Sequence, residues 1–183
     1  RILSETIESK DPFTRGHCLR VSKYSLSIAK ELGFSKKQLE LLEIGALLHD
    51  IGKIGIRGAI LNKSGKLTKG EWAHVMLHPV IGESILGKID FFKKIMPIIR
   101  NHHERFDGKG YPDGLRDHDI PIESRIVCVV DAYDAMISDR PYRKGMKEEE
   151  AIDRLKRASG EQFDSRIVDV FLNKEVLTMA DKV

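Results

Sequence analysis

The stretch SKKQLELLEIGALLHD, from Ser35 to Asp50, constrains the fold more than any other. Ser35 precedes an apolar run, and Gln38 stands three residues after it. A hydroxyl and an amide at that spacing form a capping box, each side chain bonding the other residue's backbone N–H. Leu39, Leu42, Ala46 and His49 then share one helical face. The same period runs through most of the chain. VSKYSLSIAKELG stripes Val21, Ser25, Ile28 and Leu32 and stops at Gly33, a residue suited to the position after a helix. TKGEWAHVMLHPVIGESIL opens on a second capping box, Thr68 and Glu71, and Pro79 breaks or kinks it. FFKKIMPIIRNHHE carries Pro97 near its first turn. PIESRIVCVVDAYDAMIS opens at Pro121, suited to the first helical position, and its length favours a buried helix over a strand. KEEEAIDRLKRAS and DSRIVDVFLNKE predict two amphipathic helices, while GIRGAILNKSGKL reads as irregular. The expected fold is all-α: a single domain over residues 1–183, a bundle of roughly seven helices.

Composition excludes more than it selects. A net charge of +3 on 183 residues does not call for a nucleic-acid polymer as partner. No apolar run approaches the length of a membrane span. Cys18 and Cys128 form no disulfide framework and read as reduced, buried thiols of a cytoplasmic protein. The chain begins at Arg1, in what reads as mid-helix, so it reads as a fragment of a longer protein.

The seven histidines carry the functional signal. His17 lies near the start of the first long helix. His49 and Asp50 end the capped helix, His78 meets the Pro79 break, and His102 and His103 stand together, followed by Glu104. Asp131 and Asp134 interrupt an otherwise apolar helix. Buried carboxylates are costly without a partner, and a divalent metal is such a partner for imidazole and carboxylate together. His74 and His118 read as ordinary histidines. Adjacent helical residues point about 100° apart, so His49–Asp50 and His102–His103 serve two metals side by side more easily than one. Asp50, with two oxygens, is suited to bridge metals about 3.5–4 Å apart. After the histidine pair comes the loop RFDGKGYPDG. Gly108, Gly110 and Gly114 permit positive φ or close backbone approach, and Pro112 stiffens the loop.

Together HDIGK, HHERFDGKGYP, DAYDAM and RPYR resemble the HD-GYP family of metal-dependent phosphohydrolases, from Lys10 to Phe171. The resemblance implies an HD-domain helical bundle that hydrolyses the bacterial second messenger cyclic di-GMP to linear pGpG, in some members onward to GMP. It implies one metal on His17, His49, Asp50 and Asp131, and a second on Asp50, His78, His102 and His103. Some members hold a third metal with a Glu four residues before the first His; that position is Phe13 here, so two ions are expected. Ligand chemistry suits iron or manganese. The nucleophile would be a hydroxide between the metals. Lys53 is expected at the water or the substrate phosphate. Arg140 and Arg143 are expected on substrate phosphates, and Gly110 and Tyr111 at the site's border. Asp134 is placed either against substrate or behind a ligand, and Lys144 in solvent. Family members usually carry an upstream sensory or receiver domain.

Two other functions compete. One is a module that senses the nucleotide, or docks onto diguanylate cyclase domains through the GYP surface, with little turnover. The other is an HD phosphohydrolase acting on mononucleotides. The complete ligand set argues against the first, and the GYP loop with RPYR against the second.

Overall fold

The computed structural model describes residues 16–139 and 144–173. Its helices form where the caps predict. Helix α1 runs His17–Glu31 and α2 Lys36–Leu48. Between them Gly33 takes φ 78°, and the N–H groups of Gly33 and Phe34 donate to Lys30 and Ala29, closing the end of α1. Both halves of the Ser35–Gln38 box are made at the start of α2. A short α3, Gly58–Leu61, lies in the stretch expected to be irregular. The Thr68–Glu71 box opens α4, Lys69–Val75. Pro79 separates α4 from α5, His78–Leu86, sitting in the first turn of α5 where its missing N–H leaves no helical bond unmade. A 3₁₀ turn over Asp90–Ile95 leads into α6, Met96–Asn101, which has Pro97 in its first turn. Helix α7 runs Ile122–Ile137, with Pro121 at the position before the helix rather than at its first residue as expected. The chain closes with α8, Glu148–Ala158, and α9, Ser165–Phe171, the latter capped by the Asp164 carboxylate accepting from the Arg166 N–H. Among the described residues there is no β-strand, and the all-α expectation holds.

One apolar cluster joins these helices. Ile28 from α1, Leu42 and Ala46 from α2, Ile99 from α6, Val127 and Val130 from α7, Leu155 from α8 and Phe171 from α9 are all inaccessible to solvent. Helix α7 is buried along most of its length, as its apolar run predicts. It packs against α1, α6, α8 and α9, so Asp131 and Asp134 sit on the central helix facing α1. The 3₁₀ turn Ile51–Gly55 packs on α5 at a contact only glycine allows. A Cβ on Gly52 would lie 1.8 Å from the His78 carbonyl oxygen. That contact fixes Asp50 against His78. No helix among the described residues is long and apolar enough to cross a membrane.

Candidate metal centre

Four helix ends and one helix middle supply the site. His17 is the first residue of α1, His49 follows α2, His78 begins α5, and His102 and His103 follow α6. Asp50 stands at their centre, with 3% of its surface exposed. Its Oδ2 lies 3.4 Å from His49 Nε2 and 3.9 Å from His17 Nε2. Its Oδ1 lies 3.3 Å from His78 Nε2 and 4.0 Å from His102 Nε2. One carboxylate thus turns one oxygen to each of two imidazole sets. Ligand atoms of Asp50, His78, His102 and His103 all lie within 4.8 Å of one another, as do those of His17, His49 and Asp50. Asp131 joins the second set through His17, whose Nε2 is 3.3 Å from its Oδ1.

The remote ring nitrogens decide what the near ones are. His49 Nδ1 lies 2.7 Å from the Ala46 carbonyl, His78 Nδ1 2.8 Å from Val75, and His102 Nδ1 2.9 Å from Ile99. A carbonyl only accepts, so each Nδ1 carries the proton and each neutral ring turns the lone pair of Nε2 inward. His49 Nε2 is buried with no hydrogen-bond partner. His78 Nε2 and His102 Nε2 face each other at 3.1 Å, lone pair against lone pair. Neither arrangement is satisfied by protein groups, and both are what cation coordination requires. The donor set therefore fits divalent metal.

Electrostatics divide the centre. Burial lowers the pKa of His78, puts that of His102 well below the ordinary range, and lowers that of His103 to about 3. Burial also opposes the charge of His17, but the Asp131 and Asp134 carboxylates outweigh it and raise the pKa to about 9. Asp134 Oδ2 accepts from His17 Nδ1 at 2.7 Å, while Arg20 Nε and Nη2 donate to Asp134 at 2.5 and 3.0 Å. Burial disfavours ionisation of Asp50; Lys53 and His49 overcome it and hold the carboxyl well below its usual range. Lys53 Nζ is 2.5 Å from Asp50 Oδ2.

The GYP loop closes the side of the His78, His102 and His103 set. The Tyr111 ring stacks on His103, centroids 4.9 Å apart and planes 28° apart. Gly108 and Gly114 take φ of 78° and 68°. A Cβ on Gly110 would lie 2.3 Å from the Arg105 nitrogen and 2.5 Å from the Glu104 Cα. Gly110 is thus required by the loop's approach to its own chain.

Comparison with known proteins agrees with this arrangement. The HD domain family matches residues 1–167. The chain belongs to the HD family, in its HD-GYP branch. It is 41% identical over 172 residues to the cyclic di-GMP phosphodiesterase response regulator RpfG of Xanthomonas campestris, covering 93% of this chain and 46% of that protein. To the 3'3'-cGAMP-specific phosphodiesterase 3 of Vibrio cholerae it is 41% identical over 146 residues, 80% of this chain and 32% of that one. The chain spans less than half the length of these curated relatives. Among solved structures, the HDG"Y"P protein Bd1817 from Bdellovibrio bacteriovorus superposes with a TM-score of 0.72 at 25% identity, over 88% of this chain and 51% of that one. The HD domain of L. monocytogenes phosphodiesterase PgpH, in complex with cyclic-di-AMP, shares the fold with a TM-score of 0.68 at 21% identity, over 100% of this chain and 97% of that one. HD domains are metal-dependent, and the His/Asp cluster here is able to bind metal.

Against this HD frame the remaining candidates find their places. Arg140, Arg143 and Phe13 lie outside the described residues. Asp134 is 1% exposed and bonded to His17 and Arg20, so it has no surface to offer a substrate and stands behind His17. Gly110 is half-buried and packs one side on the backbone of Glu104 and Arg105. His74 joins neither cluster, and His118 is exposed beside Asp117. Both cysteines are buried. Sequence reading missed Arg20, Gly52 and a role for Glu104. Arg20 had a signal, standing one helical turn after His17. The glycine contact joins segments far apart in sequence and left no such trace.

Proposed function

We propose that this chain is the hydrolytic domain of a binuclear-metal phosphodiesterase that cuts cyclic di-GMP to linear pGpG. The observation that carries the reading is Asp50, which turns one oxygen to each of two sets of inward Nε2 atoms. His17, His49, Asp50 and Asp131 would hold one ion, and Asp50, His78, His102 and His103 the other. Their imidazole and oxygen donors suit iron or manganese. Such ions supply Lewis-acid activation of water and neutralisation of charge on a phosphodiester. The chain's own groups do the rest. The carbonyls of Ala46, Val75 and Ile99 hold three rings in the tautomer that leaves Nε2 unprotonated. Asp134, itself held by Arg20, accepts from His17 Nδ1 and so orients the ring, leaving Nε2 as the nitrogen that would give up its proton to an ion. Lys53 places an ammonium beside Asp50, within reach of an anionic phosphate bound there. Tyr111 stacks on His103 and borders the site at that edge.

The relative at 41% identity that is named cGAMP-specific supports a second substrate of the same class. The test is elemental analysis of anaerobically purified protein beside turnover of cyclic di-GMP and 3'3'-cGAMP, with products separated. About two ions per chain and chelator-sensitive production of pGpG are expected. A metal-loaded protein that binds cyclic di-GMP without turnover would make this a sensing module. Preference for 3'3'-cGAMP would move the substrate, and one or three ions per chain would overturn the ligand assignment.

A further inference from the structure

Loop 105–116, which carries Tyr111, contains no helix or strand; its first residues are tied by the Phe106 and Asp107 N–H groups to the Gln162 and Glu161 carbonyls, and two further fastenings hold it just after Tyr111. Glu104 follows His103 directly and is buried at 2% exposure. Its Oε1 accepts from the backbone N–H of Asp113 at 2.7 Å and of Gly114 at 3.1 Å. On the other side, the Asp113 carboxylate accepts from Arg100 Nε and Nη2 at 2.8 and 2.7 Å and from Asn101 Nδ2 at 3.0 Å. Arg100 Nη1 also pairs with Glu83 on α5. Just before that fastened point, the Tyr111 N–H donates to the His103 carbonyl at 3.3 Å and its ring stacks on the same residue.

Glu104 thus belongs to the backbone that sets His103 and to the bond pair that sets the loop. We propose that Glu104 is a positioning residue that holds Tyr111 over His103, and through it the edge of the site where a cyclic dinucleotide binds. The loop fastening is independent of substrate identity; the kinetic consequence rests on the phosphodiesterase reading. What matters is reach: an acceptor oxygen must arrive at two amides. Glutamine keeps that reach without the charge, and aspartate keeps the charge without the reach.

The test uses the metal-loaded chain with 3-fluorotyrosine incorporated, the Tyr111 resonance being assigned by its absence in Y111F. In E104A and E104D that resonance shifts toward the value of an unstacked ring; in E104Q it stays. With cyclic di-GMP as substrate, E104A and E104D lose about ten- to a hundredfold in kcat/KM, the range seen when an orienting group is removed. E104Q stays within about threefold of the parent. Metal content is unchanged in all, and E104A/Y111A is no worse than Y111A alone, since both changes act through one ring. Normal E104D beside an impaired E104Q, additive losses in the double variant, or an unmoved Tyr111 resonance in E104A would each overturn the proposal. Should E104A not fold, the aspartate and glutamine pair decides alone. If the parent turns over no cyclic dinucleotide, the phosphodiesterase reading fails while the fluorine resonance still judges the positioning.

Discussion

The two halves of the centre share Asp50 and little else. The His17 half is rich in carboxylate: His17 lies between Asp131 and Asp134, and Arg20 anchors the latter. The His78 half is rich in imidazole, two of its rings held by backbone carbonyls. Burial acts on both, but only the first half has enough negative charge to overcome it. His17 therefore holds a proton up to about pH 9, while His103 gives its proton up near pH 3. Without metal, one half is a protonated ion cluster and the other a set of crowded lone pairs. Cation binding must displace a proton from the first half at neutral pH and none from the second.

The harshest way to break this comparison is to remove the shared group. Asp50→Ala should empty both positions and lower turnover by at least about a thousandfold, since charge stabilisation by such ions is worth several kcal/mol. His17→Ala or His103→Ala should each cost chiefly one ion. Elemental analysis beside a cyclic di-GMP assay reads all three. Loss of a single ion in Asp50→Ala, with activity kept, would remove Asp50 from the bridge.

A milder change separates the halves. Asp134→Ala removes the acceptor that fixes the His17 ring and should weaken metal affinity about ten- to a hundredfold in that half only. Stepwise metal titration should show one site weakened and the other intact. Equal weakening of both would mean that the halves are coupled through more than Asp50.

The smallest effect is in pH. In the metal-free protein, His17 has a folded pKa of about 9 against an ordinary 6.5. Its contribution to stability is therefore full below pH 6.5 and lost as pH rises through 9. His103 has a folded pKa of about 3, and the pKa values of His78 and His102 are lowered too. Below pH 6.5 the unfolded chain gains protons on these residues that the folded chain refuses, so stability falls again toward pH 3. Asp50 and Asp131 act only below their ordinary 3.8. Urea unfolding of chelator-treated protein should show greatest stability near pH 6.5. His17→Gln should flatten the alkaline arm and leave the acid arm. A flat profile from pH 5 to 9 would contradict the division.

Local chemistry made much of this molecule readable from its residues alone. The boxes at Ser35–Gln38 and Thr68–Glu71, the stop at Gly33 and the starts at Pro79 and Pro97 rest on contacts within four or five positions, and those contacts form. The chemically unusual residues were equally visible: histidines at helix ends and carboxylates on an apolar helix stand out in one dimension. The short α3 turn did not stand out, because no cap or stripe marks it. Neither did the choice between Asp134 as a substrate contact and as a support for His17, since spacing along α7 cannot say which side chain faces α1. Only the tertiary structure decided which oxygen of Asp50 meets which imidazoles, which ring nitrogens keep their protons, why Gly52 must lack a side chain and what Glu104 holds. Each of these depends on packing between segments far apart in the chain, where a contact is set by the path of the whole backbone and leaves no period, cap or spacing to read.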